Sequence, residues 1–183
     1  MHKYLLIAAL FAFAAAPAAA SDAAYLKVQG STTGKIEGGV TQKGHEGEIK
    51  VLAFTHEIVS PRDAASGLPT GKRQHKPFTI TKPIDKSSPL LMSALDNNET
   101  LPDVRLQLFS ASTSARGAVG GPGGSGIQQN TYTIELINAH IASISLDSSV
   151  PGEDREIVEF VYQSVVYTFP NGGISAQLDT SSP

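Results

Sequence analysis

Period-two alternation between apolar and polar residues returns so often along this chain that a helical fold has little room. Tyr25–Gln29 sets Leu26 and Val28 against Tyr25, Lys27 and Gln29. Phe78–Thr81 alternates with β-branched residues, and Val104–Phe109 points Val104, Leu106 and Leu108 away from Arg105 and Gln107. Thr131–Ile137 repeats the pattern with Tyr132, Ile134 and Leu136, and Ala142, Ile144 and Leu146 continue it. Successive side chains of a strand leave opposite faces of its sheet, so each run reads as a half-buried strand. The 17 glycines and 11 prolines supply turns between them, and tryptophan is absent.

Two segments depart from simple alternation. Glu48–Val59 carries Ile49, Val51 and Ala53 on one face and Leu52, Phe54 and Ile58 on the other, which predicts a strand covered on both sides or bent at a bulge. Glu156–Phe169 is apolar for long enough to predict one long or bent strand, and Asn171-Gly172 predicts a two-residue hairpin turn into Ile174–Leu178. One helix is expected. Ser88 suits its N-cap and Pro89 its first position, Leu91 and Leu95 are spaced i, i+4 beside Leu90 and Ala94, and Asn97-Asn98 tolerates a left-handed ending. The fold class is therefore mainly β, an antiparallel β-barrel or two-sheet sandwich with one short α-helix. Ser110–Gln129 holds six glycines between Gly117 and Gly126 and predicts a mobile, exposed hairpin loop.

Residues Met1 to Ala20 belong to another category. A basic start at His2 and Lys3, an apolar run from Leu5 to Ala16 and the small residues Ala18-Ala19-Ala20 predict a secretory signal peptide cleaved between Ala20 and Ser21. Residues 21–183 then form a single domain, exported to the periplasm or beyond and without stable membrane insertion after cleavage. The whole chain has 14 Lys+Arg against 17 Asp+Glu; losing Lys3 with the leader leaves a formal charge of −4. A mildly acidic chain without a long basic run is no nucleic-acid coat. With no cysteine, its stability owes nothing to disulfides or thiolate-held metals.

Catalytic motifs fail on inspection. Gly30–Ile36 and Gly67–Arg73 both run toward Gly-Lys like phosphate-binding loops. Each has one residue too few between its glycines, and neither follows lysine with a hydroxyl for magnesium. His45-Glu46, His56-Glu57, His75 and His140 are the only groups suited to metal or acid–base work, and none has the i, i+4 helical spacing of a zinc protease. Gly124-Ser125-Gly126 does not make a nucleophile elbow. The expectation is a protein that is not an enzyme, with no cofactor and no metal; a hydrolase would need scattered polar residues to converge in space.

The densest signal is Gly67-Leu68-Pro69-Thr70-Gly71-Lys72-Arg73-Gln74-His75-Lys76-Pro77-Phe78. Glycine and proline punctuate a loop, and Lys72, Arg73, His75 and Lys76 gather positive and titratable groups where it enters the Phe78 strand. Together with Ser66, this stretch resembles the signature of the Hcp (haemolysin-coregulated protein) family, the tube proteins of type VI secretion systems. The resemblance runs on through Ile80-Thr81-Lys82, Ile84-Asp85-Lys86-Ser87, Pro89-Leu90-Leu91, Ala94-Leu95 and Asn97-Asn98-Glu99. Tyr25-Leu26-Lys27 and Lys43–Ile49 fit upstream, and Gly172-Gly173-Ile174 and Ala176 downstream.

The resemblance implies a β-barrel with a helix on one side, assembled as homohexameric rings that stack into a tube and carry effectors. The implied partners are further copies of itself, a spike protein, a sheath and effector proteins. It also implies that the Ser60–His75 loop, with Gly67, Leu68, Pro69, Thr70, Gly71, Lys72, Arg73 and His75, lies at the ring face and helps rings stack. Three features depart from the family: the leader, the glycine-rich Gly117–Gly126 loop, and Val166–Pro170 in place of a tryptophan-rich ending. A subunit that keeps its leader would assemble in the cytoplasm and be secreted afterwards. One that loses it in export suits a different role, an Hcp-fold binding or adhesion module that forms no tube.

Overall fold

The computed structural model describes residues 23–111 and 128–180. The expected leader with its Ala20–Ser21 junction and the glycine-rich Gly117–Gly126 segment lie outside these residues. β1 (Ala23–Gln29) pairs antiparallel on one edge with β2 (Lys35–Ile36) and β3 (Ile49–Val51), and on the other with β8 (Leu101–Ala111). β8 pairs with the first half of β9 (Gln128–Val150), whose other edge takes β11 (Ser164–Phe169) and then β12 (Ile174–Asp179). The second half of β9 pairs with β10 (Glu153–Val161), followed by β7 (Phe78–Pro83) and β4 (Ala53–Thr55). A separate small hairpin joins β5 (Ile58–Val59) to β6 (Gln74–His75).

Two corners fold this network into a closed sandwich. The first lies at Leu52. The backbone bends there, and β3 pairs with β1 while β4 pairs with β7, so the two apolar faces of Glu48–Val59 belong to a strand that changes sheets. The second is on β9 at Asn138, which adopts a left-handed φ of 50°. Opposite it the chain breaks at Tyr162-Gln163, so the expected long strand is two, β10 and β11, each following one half of β9. Asn138 Nδ2 donates to Gln163 Oε1 at 2.8 Å, and the Gln163 N–H donates to the Ile137 carbonyl at 3.1 Å. Asparagine tolerates the left-handed region because its short side chain hydrogen-bonds locally, as it does here.

The inward residues are those the alternation selects: Leu26 and Val28 on β1, Phe78 and Ile80 on β7, Val104 and Leu106 on β8, Ile134 and Leu136 on β9, and Val158 and Phe160 on β10. Each fully buried large side chain stabilises the fold by about 1.5–3 kcal/mol, and a one-residue slip would expose a whole row, so the register is fixed. The α-helix α1 (Ser88–Asp96) packs against β9 with Leu91 and Ala94 buried, and Asn98 closes its end at a φ of 48°. Its start differs from expectation: Ser87 is the N-cap, and Ser88 is the first helical residue. The Ser88 hydroxyl is drawn inward to a buried ion pair between Lys82 Nζ and Glu156 Oε1, 2.6 Å apart.

The last hairpin also differs. Phe169 and Ile174 are paired across a short 3-10 turn at Pro170–Gly172, and the left-handed residue is Gly173, one place later than a two-residue Asn-Gly turn requires. Gly38 is needed for another reason, close approach. A Cβ there would run into the Glu48 carbonyl and sit 2.5 Å from Ile49 Cα, both backbone atoms that cannot swing aside. Gly38→Ala is expected to cost about 1–3 kcal/mol. Thermal unfolding should show the midpoint falling by roughly 2–4 °C for each kcal/mol; an unchanged midpoint would mean the Gly38 and Glu48 segments are not this tightly apposed.

Candidate functional site

The basic stretch is the returning arm of a long hairpin. Ile58 is registered with His75 and Val59 with Gln74; beyond them Arg62 bridges Pro69, and the Thr70 N–H donates to the Pro61 carbonyl at 3.0 Å. The tip is held by Asp63, whose Oδ1 accepts from the Ser66 N–H and hydroxyl, both at 2.7 Å. Those bonds, the hydroxyl's above all, hold the Asp63 carboxyl below its ordinary pKa. Gly67 turns the chain at a φ of +69°, a region open to glycine at no steric cost, and Arg62 Nη1 donates to its carbonyl at 3.0 Å. From Arg62 to Gln74 every residue is exposed, including Leu68 at 65% near the tip. The arm is held by its own hydrogen bonds and presents Gly67, Pro69, Thr70, Gly71, Lys72 and Arg73 to solvent.

The root of the hairpin is built differently. His75, the last residue of the stretch before Lys76, is half-buried, and its Nδ1 lies 3.1 Å from the Tyr162 hydroxyl. The same hydroxyl lies 2.6 Å from His56 Nε2, and Tyr167 Oη lies 2.5 Å from His56 Nδ1. Phe78 packs against the His56 ring, with centroids 5.5 Å apart. Burial, helped by the neighbouring His75, holds the His56 pKa below the usual histidine value. Burial also raises the Tyr162 and Tyr167 hydroxyls, so both stay protonated across the physiological range. The sequence pairs His56 with Glu57; the fold pairs it with tyrosines more than a hundred residues away, at the corner between β10 and β11. Only the two-stranded register could have revealed this, and nothing local signals it.

The remaining histidines and the first Gly-Lys turn have structural roles. His45 pairs with Glu48 at 2.9 Å, not with Glu46, and its ring stacks on Tyr25 at 4.2 Å and meets Phe109 edge-on. His140 Nε2 lies 3.1 Å from Thr100 Oγ1. In the Gly30–Ile36 turn, the place a phosphate would take is filled by Glu99: its Oε1 accepts from the Thr32 and Thr33 N–H groups at 2.6 and 2.8 Å, and its Oε2 from the Thr33 hydroxyl at 2.6 Å. Those donors, the Thr33 hydroxyl first, lower the Glu99 pKa. An anion site already holding a carboxylate is a turn, as its spacing predicts. Among the described residues no three His, Cys, Asp or Glu side chains come together as a metal site would require.

The chain resembles known proteins over most of its length. A family model described as "Type VI secretion system effector, Hcp" matches residues 25–169. A curated relative, the major exported protein of Pseudomonas aeruginosa, is 35% identical over 176 residues, covering 87% of this chain and 96% of its own. Among solved structures, the secreted protein Hcp3 from Pseudomonas aeruginosa superposes with a TM-score of 0.70 at 30% identity, over 88% of this chain and all of its own. Hcp1 from an E. coli pathovar does so at 0.74 and 26% identity, over 86% of this chain and 98% of its own.

Proposed function

The chain belongs to the Hcp family of type VI secretion system proteins, and from that premise we propose that it is the subunit of a homohexameric ring that stacks into a tube. The observation that carries the reading is the placement of the hairpin. It leaves the barrel at the Phe78 end of β7, while the Pro151-Gly152 turn between β9 and β10, followed by exposed Glu153 and Asp154 at the start of β10, closes the sheet beyond the Pro83 end. A basic arm at one end and an acidic turn at the other suit head-to-tail stacking, in which each ring presents a different face to its neighbour. Ser60–His75 is the stacking element in this reading. Effectors in the lumen, a spike protein at the tip and a surrounding sheath are the partners that family membership supports.

Residues 21–183 form the working domain in this proposal, and residues 1–20 are a leader. Native mass spectrometry with negative-stain imaging of the protein from Ser21 onward tests the assembly, with six-membered rings expected. A clean monomer would overturn the ring and favour an exported Hcp-fold binding or adhesion module. The N-terminal sequence of the exported protein tests the route. Ser21 at the first position identifies leader cleavage; Met1 identifies cytoplasmic assembly followed by secretion.

A further inference from the structure

We propose that His56, Tyr162 and His75 form an acid-sensitive latch that holds the hairpin root on the barrel while both imidazoles are neutral and releases it when they take up protons. The hydrogen-bond chain sets the condition. A tyrosine hydroxyl has one proton, so Tyr162 can donate to one imidazole and must accept from the other. The chain can run in either direction with neutral rings: the Tyr167 hydroxyl donates to His56 Nδ1, His56 Nε2–H to Tyr162 and Tyr162 to His75 Nδ1, or each of these bonds is reversed. One added proton is absorbed by the choice of direction. With both imidazoles protonated, His56 Nε2 and His75 Nδ1 are both donors, so Tyr162 faces two N–H groups and its own proton loses its partner. Two cations then flank one buried tyrosine.

Groups around the latch do not neutralise this charge. Glu57, Lys76 and Glu159 line the open cleft beside His56, and Arg73 and Asp179 line the one beside His75, so each cleft mixes signs. Among the described residues, those against His56 itself are the two tyrosine hydroxyls, the second imidazole and the Phe78 ring. The sign follows. The latched state holds the His56 pKa low, while an opened hairpin returns it to its ordinary value of about 6.5. Between those values the open form binds more protons, so latch stability is fully present above about pH 6.5 and is lost as pH falls toward the latched pKa. Both strands of the root are short, and among the described residues β5 and β6 pair only with each other.

Hydrogen exchange on the full chain between about pH 8 and about pH 5, corrected for intrinsic rates, tests the latch. Protection of the Val59, Gln74 and Lys76 amides relative to β8 and β9 should fall on acidification, by at most about tenfold per pH unit for each proton taken up on opening. His56→Gln, which keeps a donor and an acceptor but cannot titrate, should flatten the profile. Tyr162→Phe should loosen the root already at neutral pH. A hairpin whose relative protection ignores pH, or a His56→Gln variant that keeps the wild-type step, would overturn the proposal. The consequence for assembly rests on the hairpin being the stacking element, and it is read separately. If the root opens in acid and stacks persist, the latch stands and the stacking role fails.

Discussion

Lys82→Met is expected to cost about 3–5 kcal/mol of unfolding free energy, the usual penalty for leaving one member of a buried ion pair alone. Lys82 and Glu156 are registered partners on β7 and β10, and neither side chain reaches solvent. The three N–H donors of the ammonium share four acceptors: Glu156 Oε1, Asp85 Oδ1 at 2.9 Å, the Ser88 hydroxyl at 3.1 Å and the Pro83 carbonyl at 2.9 Å. Ser88 in turn donates to Glu156 and accepts from the Asp85 N–H. One lysine thus ties β7, β10 and the start of α1 together. Asp85 shows the balance within the group: burial raises its carboxyl, but the Ser87 hydroxyl, Lys82 and the Gly39 N–H together pull it below its ordinary value.

For a chain of this size, 3–5 kcal/mol corresponds to a midpoint lower by roughly 6–20 °C. Glu156→Met should do comparable harm. The double variant should recover most of the loss, because replacing both charges with apolar groups of similar volume is often neutral or stabilising. Urea unfolding of the three variants decides the matter. Singles that lose less than about 1 kcal/mol, the range of an exposed pair, would show that water reaches the site.

This pair also marks the limit of what the sequence discloses. Strand parity places both charges inward, Lys82 after Phe78 and Ile80 and Glu156 before Val158 and Phe160, but it does not pair them. Inward charge on one strand looks like a strand end. Its meaning appears only when the second strand brings the opposite charge to the same position. The sheet change at Leu52 was legible as two apolar faces, and the break at Tyr162-Gln163 as excess strand length, because both are local consequences of alternation. The His56–Tyr162–His75 cluster was not, since its members are 87 and 106 residues apart and meet through the barrel's closure. Ser88 reads as a cap for the same reason: its inward partner is 68 positions away.

Reversing Lys72 and Arg73 to glutamate is expected to abolish ring stacking at low salt while leaving single rings intact. Both residues lie on the exposed returning arm, beyond the β5–β6 pairing. The double change turns the arm's charge from positive to negative and sets it against an end of the neighbouring ring that carries exposed Glu153 and Asp154. Attraction then becomes repulsion at every repeat around the ring. The effect must also weaken with salt. At about 0.1 M the screening length is roughly 10 Å, so wild-type stacks should shorten as salt rises and the variant's defect should narrow. Arg155, half-buried and paired with Glu153, tempers the acidic turn without reversing it. A complementary Glu153→Lys, Asp154→Lys variant supplies the sharper test. Each variant alone should fail to stack, and the two mixed should stack on one another wherever the swapped faces meet. Sedimentation and negative-stain imaging read the result. Stacks of unchanged length in the Lys72, Arg73 double variant at low salt would remove the hairpin from the stacking interface.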